Sequence, residues 1–419
     1  MTQLPSPAER SEFARGWPVL LAALLGVACG ASPIPFNVFP LVIGPINAEF
    51  GWSFGSISLG ITVFGITASL LAPVYGWLAD KYGVRPVALA SLLAFALAFA
   101  AFALMPPSLV GFYALWLLMG MVGIGSTPVT WSRAINMWFF KNRGLALGIM
   151  LLGTSLAALV VPRLTVWAIG EYGWRGAFPA VALLPLLVAL PLGLLFFREP
   201  REDERPAAVT ASVAFGATLP EALRDRRFWI LWVSIAMVAL AYGGAHIHMA
   251  EIVKLHGFGP ADAATVMQVV GLAILAGRVI TGALLDRFWA PAVCFPILCL
   301  PAISVMLLTG TEPDFPRIII AAFFLGFAAG AESDLIAYLA SRYFGMAHYG
   351  KIYGMLYMPF GFMSALSPAV YGRVRDVYGN YDPMLWTAGA LFVLGGALLL
   401  TMGAYPERRG EDARATQPA

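Results

Sequence analysis

Residues 76–86 read GWLADKYGVRP and residues 282–289 read GALLDRFW. Each stretch follows a long apolar run and sets a Gly, then an Asp, then a basic residue at a turn. Gly76 and Gly282 are 206 positions apart (282 less 76), and so are Asp80 and Asp286, and Lys81 and Arg287. The same offset pairs Gly120 with Gly326, Gly144 with Gly350, Gly148 with Gly354 and Pro162 with Pro368. It also pairs Tyr172-Gly173 with Tyr378-Gly379. Glycines match by chance at some positions. A single offset that also recovers an Asp-basic pair, a Pro and a Tyr-Gly pair marks an internal repeat.

The composition says what kind of repeat this is. Of 419 residues, 60% are hydrophobic and 12% charged, against about 45–50% and 25% in soluble domains. Many apolar stretches reach the roughly 20 residues that a bilayer-crossing helix needs. They show no strict alternation, which argues against a barrel, and lipid leaves helices as the other solution for the backbone. The expected fold is an all-α polytopic membrane protein with twelve transmembrane helices in two pseudo-symmetric six-helix bundles. The expected layout is a tail over 1–16, a first bundle over 17–197, a polar linker over 198–227, a second bundle over 228–404 and a tail over 405–419. Parallel six-helix repeats joined by one polar linker suggest an alternating-access carrier.

Most of the 26 Lys and Arg residues fall at the linker end of the spans. Arg175, Lys254, Arg317, Arg373 and Arg375 fall at the other end, and Arg163 and Arg278 lie within spans. By the positive-inside rule both termini are cytoplasmic. The expected location is the cell (inner) membrane, multi-pass, with a retained first helix and no cleaved signal peptide. A net charge of +3 gives no reason to expect nucleic acid. Cys29, Cys294 and Cys299 lie in apolar segments with no metal-ligand or disulfide spacing and read as core residues. No metal or cofactor is expected.

Gly76, Asp80, Lys81, Gly83 and Arg85 resemble the loop signature of the major facilitator superfamily. The second copy keeps Gly282, Asp286 and Arg287 but lacks the second glycine. The resemblance covers nearly the whole chain. It implies that each Asp caps a neighbouring helix and forms ion pairs that break when the inner gate opens. Within the superfamily the chain resembles the monocarboxylate carriers and the oxalate–formate exchangers. The matching pieces are NMWFFKNRGLALGI (136–149), EYGWRGAF (171–178), the GR-x-x-x-G-x-x-x-D run over 277–286, and SRYFGMAHYGKIYG (341–354). In that family an arginine of the eighth span binds the substrate carboxylate, and it maps onto Arg278. Two departures matter. Ile274 stands where animal monocarboxylate carriers have an Asp, and the first span has no lysine. Leu356 stands about where the oxalate exchangers have a second cation, which favours a monocarboxylate over a dicarboxylate.

The residues themselves support an anion site. Arg278 interrupts the apolar run 266–285, where an arginine is costly unless it has a partner. Its planar donors match a carboxylate. The alternative is a structural arginine tied to helix carbonyls or an acid. Glu332 and Asp334, two residues apart in the tenth span, are the candidate proton-coupling acids, with His246, which shares a helix face with Tyr242, as a candidate relay. Tyr338, Tyr353, Tyr357 and Asn37 are candidate cavity residues. Arg163 is either a second anion contact or a residue that snorkels or pairs with Glu171 or Glu49. Gly243-Gly244 is a possible bend, and ASPIPFNVFP (31–40) a break in the first span. GTSLA (153–157) reads as small residues for close helix contact.

The expected function is secondary transport of a small organic monocarboxylate (lactate- or pyruvate-like), by proton symport, with protons as the coupling ion. The expected partners are the small organic anion and the lipid bilayer, with a monomer as the working unit and an accessory subunit left open. The alternatives are an organic-anion exchanger or a drug or metabolite exporter. From a different class, the alternative is a non-transporting membrane sensor. No catalytic constellation is present in the sequence, so no enzyme is expected.

Overall fold

The computed structural model describes residues 12–201, 204, 216–309 and 314–406, without the side chains at 54, 55, 250, 254, 260, 261, 264, 332–334 and 376. Among the described residues it is all helix, with one isolated bridge between Gly216 and Gly345. Nine helices among the described residues are long and apolar enough to cross a membrane. One of these, Arg143–Phe196, is two spans folded back on each other at Gly173, whose φ of 71° is open to glycine at little cost. Twelve spans result when that pair is counted separately and the first and eleventh spans are added.

The first span is split into Glu12–Ala28 and Ile34–Phe50. The break falls where Pro33 and Pro35 remove backbone donors. The second to fourth spans are Phe54–Tyr82, Val84–Ala100, and Leu109–Gly123 continued by Pro128–Trp138. The fifth and sixth fill Arg143–Phe196. The seventh to tenth are Arg226–Leu255, Pro260–Leu285, Ala290–Leu308 and Phe315–Phe344. The eleventh and twelfth are Tyr349–Tyr378 and Asp382–Leu400. The eleventh span sets Gly350, Gly354 and Gly361 against the second span and Ser364, Ser367 and Tyr371 against the seventh. The seventh helix runs unbroken through the Gly243-Gly244 pair. The pair seats the eleventh span, with Gly244 against the Tyr371 ring and Gly243 against Ser364.

Large apolar side chains such as Leu159, Leu195, Leu272 and Met306 stand exposed around the bundle. So much exposed apolar surface suits lipid, not water. The two halves meet mainly through the second span on the eleventh and the fifth on the eighth. Both crossings are tight at one point. A Cβ on Gly76 would overlap the carbonyl oxygen of Gly350, and one on Gly144 would overlap that of Gly282. The offset of the repeat turns one crossing into the other.

Candidate functional site

The loop repeats build the closed end of the molecule. The Asp80 carboxylate accepts the backbone N–H groups of Gly350 (3.0 Å) and Lys351 (3.0 Å) at the start of the eleventh span. The Asp286 carboxylate accepts those of Gly144 (2.7 Å) and Leu145 (2.9 Å) at the start of the fifth. Each acid therefore caps a helix of the opposite half, where orphan donors and the helix dipole favour a negative charge. Asp80 also binds the Arg133 guanidinium in an ion pair that water barely reaches. Burial raises the Asp286 carboxyl above its ordinary value, against the pull of its two amides.

Other members of the loop signature support the turn. Gly83 has a φ of 85°, and the Arg85 guanidinium donates to the Leu194 carbonyl at 2.5 Å. Lys81 lies over the rings of Trp77 and Tyr82, 5.1 Å from each. Arg287 is exposed.

Arg278 is eight residues from Asp286, about 12 Å deeper along the helix. It is 8% exposed. Its guanidinium crosses to the fifth span and donates to the Leu151 carbonyl and the Thr154 hydroxyl. Thr154 in turn donates to Leu151 at 3.0 Å, so its lone pairs are left for the arginine. Thr154 belongs to the GTSLA run, where size alone suggested helix packing. Behind Arg278, Gly330 of the tenth span closes on Ile274 and on the Arg278 backbone.

The tyrosines divide by depth. Tyr357 is seven residues from the Gly350 cap, about 10 Å in and close to the level of Arg278, and its hydroxyl pairs with Ser32 of the broken first span. Tyr353 is buried nearer the closed end, stacked on Tyr349 at 5.4 Å. Tyr338 does not join Arg278: its hydroxyl donates to the Leu285 carbonyl at 2.6 Å and ties the tenth span to the end of the eighth. Asn37 spends its amide on the Pro33 carbonyl at 2.8 Å, mending the break in the first span.

His246 stacks on Tyr242 at 5.4 Å, and its buried Nδ1 has no hydrogen-bond partner. The neighbouring His248 is held by the Tyr381 hydroxyl (2.9 Å) and the Pro368 carbonyl (3.0 Å). Arg163 is exposed, as a snorkelling side chain would be, and Glu49, one of the two acids open to it, has other partners. Glu49 is held instead by Arg175 at 2.6 Å and by the Trp174 indole at 2.7 Å. The Glu332 and Asp334 side chains lie outside the described residues.

Two repeated six-span halves, crossed caps at one end and a buried arginine linking the halves define a polytopic membrane transporter. The chain belongs to the Major Facilitator Superfamily, whose family profile matches residues 19–368. It is similar to Monocarboxylate transporter 13 of Bos taurus, with 26% identity covering 94% of this chain and 91% of that protein. It is also similar to the Hexuronate transporter of Escherichia coli, with 24% identity covering 92% and 93%. Its fold matches the crystal structure of the human organic anion transporter MFSD10, with a TM-score of 0.73 and 18% identity over 93% of this chain and all of that one.

Proposed function

We propose that this transporter moves a small organic monocarboxylate by alternating access and proton symport, with Arg278 binding the carboxylate. One observation carries the reading: a buried arginine, deep in the eighth span, has its guanidinium on the fifth span of the other half. A carbonyl and a hydroxyl are weaker partners for a guanidinium than a carboxylate, which accepts two parallel charge-assisted bonds. A substrate carboxylate therefore competes for the group that links the halves, and binding loosens the crossing that must move. The named relatives carry monocarboxylates and hexuronates, and a hexuronate also bears a single carboxylate.

The coupling proton rides on Glu332 or Asp334 of the tenth span, with His246 as the relay. Tyr357 shapes the wall at the depth of Arg278. The protein works as a monomer in the cell membrane, with the crossed caps and both termini on the cytoplasmic side, as the basic residues indicate.

Lactate uptake into proteoliposomes under an inward proton gradient tests this. Arg278→Ala abolishes uptake in this reading. Arg278→Lys keeps the charge but loses the paired donors, and raises KM about tenfold, a change of roughly 1.4 kcal/mol. Unchanged affinity in Arg278→Lys would sink the paired-donor role. Gradient-driven accumulation surviving in both Glu332→Gln and Asp334→Asn would remove both acids from the coupling.

A further inference from the structure

The repeat places equivalent niches behind the two loops, and they are filled differently. In the first half, the Glu199 carboxylate accepts the backbone N–H of Val84 at 3.2 Å and stands 3.8 Å from the Arg133 guanidinium. The same offset leads from Val84 to Ala290 and from Glu199 to Tyr405. In the second half the Tyr405 hydroxyl accepts the backbone N–H of Ala290 at 3.0 Å. The cap is kept, but its carboxylate has been replaced by a neutral ring. Beside it opens a cavity of about 500 Å³, whose walls include Asp286, Arg287, Trp289, Tyr338, Arg342 and Tyr405.

The polar groups of this wall are nearly all committed. Asp286 is turned to the amides of Gly144 and Leu145. The Tyr338 hydroxyl donates to Leu285, and the Trp289 indole donates to Tyr343 at 3.2 Å. The arginines remain. Arg342 spends one donor on the Tyr405 side chain and lies over its ring at 4.4 Å, while its buried Nε has no hydrogen-bond partner. Neither Arg342 nor Arg287 forms an ion pair among the described residues. The spare hydrogen-bonding capacity of the cavity is therefore donor capacity, and it is positively charged.

We infer that this cavity binds a phosphate-bearing anion held between Arg287 and Arg342, and that the site is independent of the solute transported. Planar guanidinium donors match phosphate oxygens. The cavity sits where the eighth and tenth spans end and the chain leaves the twelfth, which is headgroup depth, and Phe288, Trp289 and Tyr405 offer it an aromatic rim. An anionic phospholipid headgroup and free phosphate share the chemistry. Because Asp286 is in the same wall, an occupant braces the turn that caps the fifth span and favours the closed end.

The test is the thermal unfolding of the full-length protein in neutral detergent. It is titrated with short-chain phosphatidylglycerol, with phosphatidylcholine of the same chain length, and with inorganic phosphate. Phosphatidylglycerol is expected to raise Tm by about 3 °C or more as it saturates, and phosphatidylcholine is not. Arg287→Gln, an exposed position that leaves the fold intact, shifts the midpoint at least tenfold to higher lipid. Tyr405→Glu restores the acid of the first half and removes the response. If inorganic phosphate reproduces the rise at the same midpoint, the site stands and its ligand is a soluble anion. An equal response to both lipids, or a response retained in both variants, overturns the site.

Discussion

The two loop repeats perform the same task with unequal support. Asp80 caps the eleventh span and also neutralises Arg133, with both side chains at or below 10% exposure. Asp286 caps the fifth span with the Arg143 charge near it, but among the described residues it makes no salt bridge like that of Asp80. By the offset of 206 the counterpart of Arg133 is Leu339, and Arg143 donates to Ser341 at 3.0 Å and to the carbonyls of Phe139 and Asn136. A pseudo-symmetric gate thus has one strong clasp and one weak one. The difference teaches that a repeat preserves the backbone contact, the helix cap, more faithfully than the side-chain charges around it.

The largest expected effect separates the two clasps. Asp80→Asn strands Arg133 in a poorly solvated site, and breaking one partner of a buried pair costs about 3–5 kcal/mol. Asp286→Asn keeps one amide-accepting oxygen and costs about 1 kcal/mol, as for a helix cap. Tm of the purified variants should therefore fall much further for Asp80→Asn. Adding Arg133→Gln to Asp80→Asn should recover part of the loss, since the two side chains act as a unit. Equal falls for the two single variants would break the comparison.

A second asymmetry lies at the chain's beginning. The Glu12 carboxylate accepts the backbone N–H groups of Phe140 (3.0 Å), Lys141 (2.9 Å) and Asn142 (2.9 Å), together with the Asn142 amide (3.2 Å). It fixes the turn that presents Gly144 to Asp286. The corresponding turn of the second half is held from the linker, by the Ala217 N–H on the Phe344 carbonyl at 2.9 Å. Glu12→Gln sets an amide N–H against backbone N–H groups and costs about 1–2 kcal/mol. Amide exchange at 140–142 should quicken about tenfold with no change at 345–348. Equal quickening in both turns would mean that the latch is shared.

Much of this was legible in the sequence, for a physical reason. A repeat offset and an apolar period report which residues share an environment, so the paired Asp residues, the broken first span and the buried arginine could all be read. Which helix lies opposite is set by three-dimensional packing, and no period along one helix encodes it. Thr154 therefore read as packing. Tyr338 read as a cavity residue although its hydroxyl ties helix ends together. In sequence Glu49 is as open to Arg163 as Glu171 is, yet Arg175, just past the fold at Gly173, holds it. Glu12 and Glu199 gave no signal, because a single carboxylate near a span end looks like any other surface acid.

The smallest effect concerns pH. The Arg198 guanidinium, hydrogen-bonded to Glu204, holds that carboxyl down to about 2 from its ordinary 4.5. Arg198 also lies 4.9 Å over the Trp138 ring, and its carbonyl takes the Trp138 indole N–H at 2.9 Å, so the pair clips the end of the sixth span to the fourth. At the equivalent place in the second half stands Ala404, and the clip has no counterpart. A carboxyl whose folded pKa is depressed stabilises the fold above its ordinary pKa, and that contribution fades as pH falls from about 4.5 toward 2. The pair is partly exposed, 42% and 29%, so screening leaves it worth less than about 1 kcal/mol. The Tm difference between the native chain and Glu204→Gln should be small and constant from pH 7 to 5, then shrink as the solution is acidified to pH 3. A difference that grew on acidification would show the clip to be held by something other than this ion pair, and the two halves to be more alike at their ends than their side chains suggest.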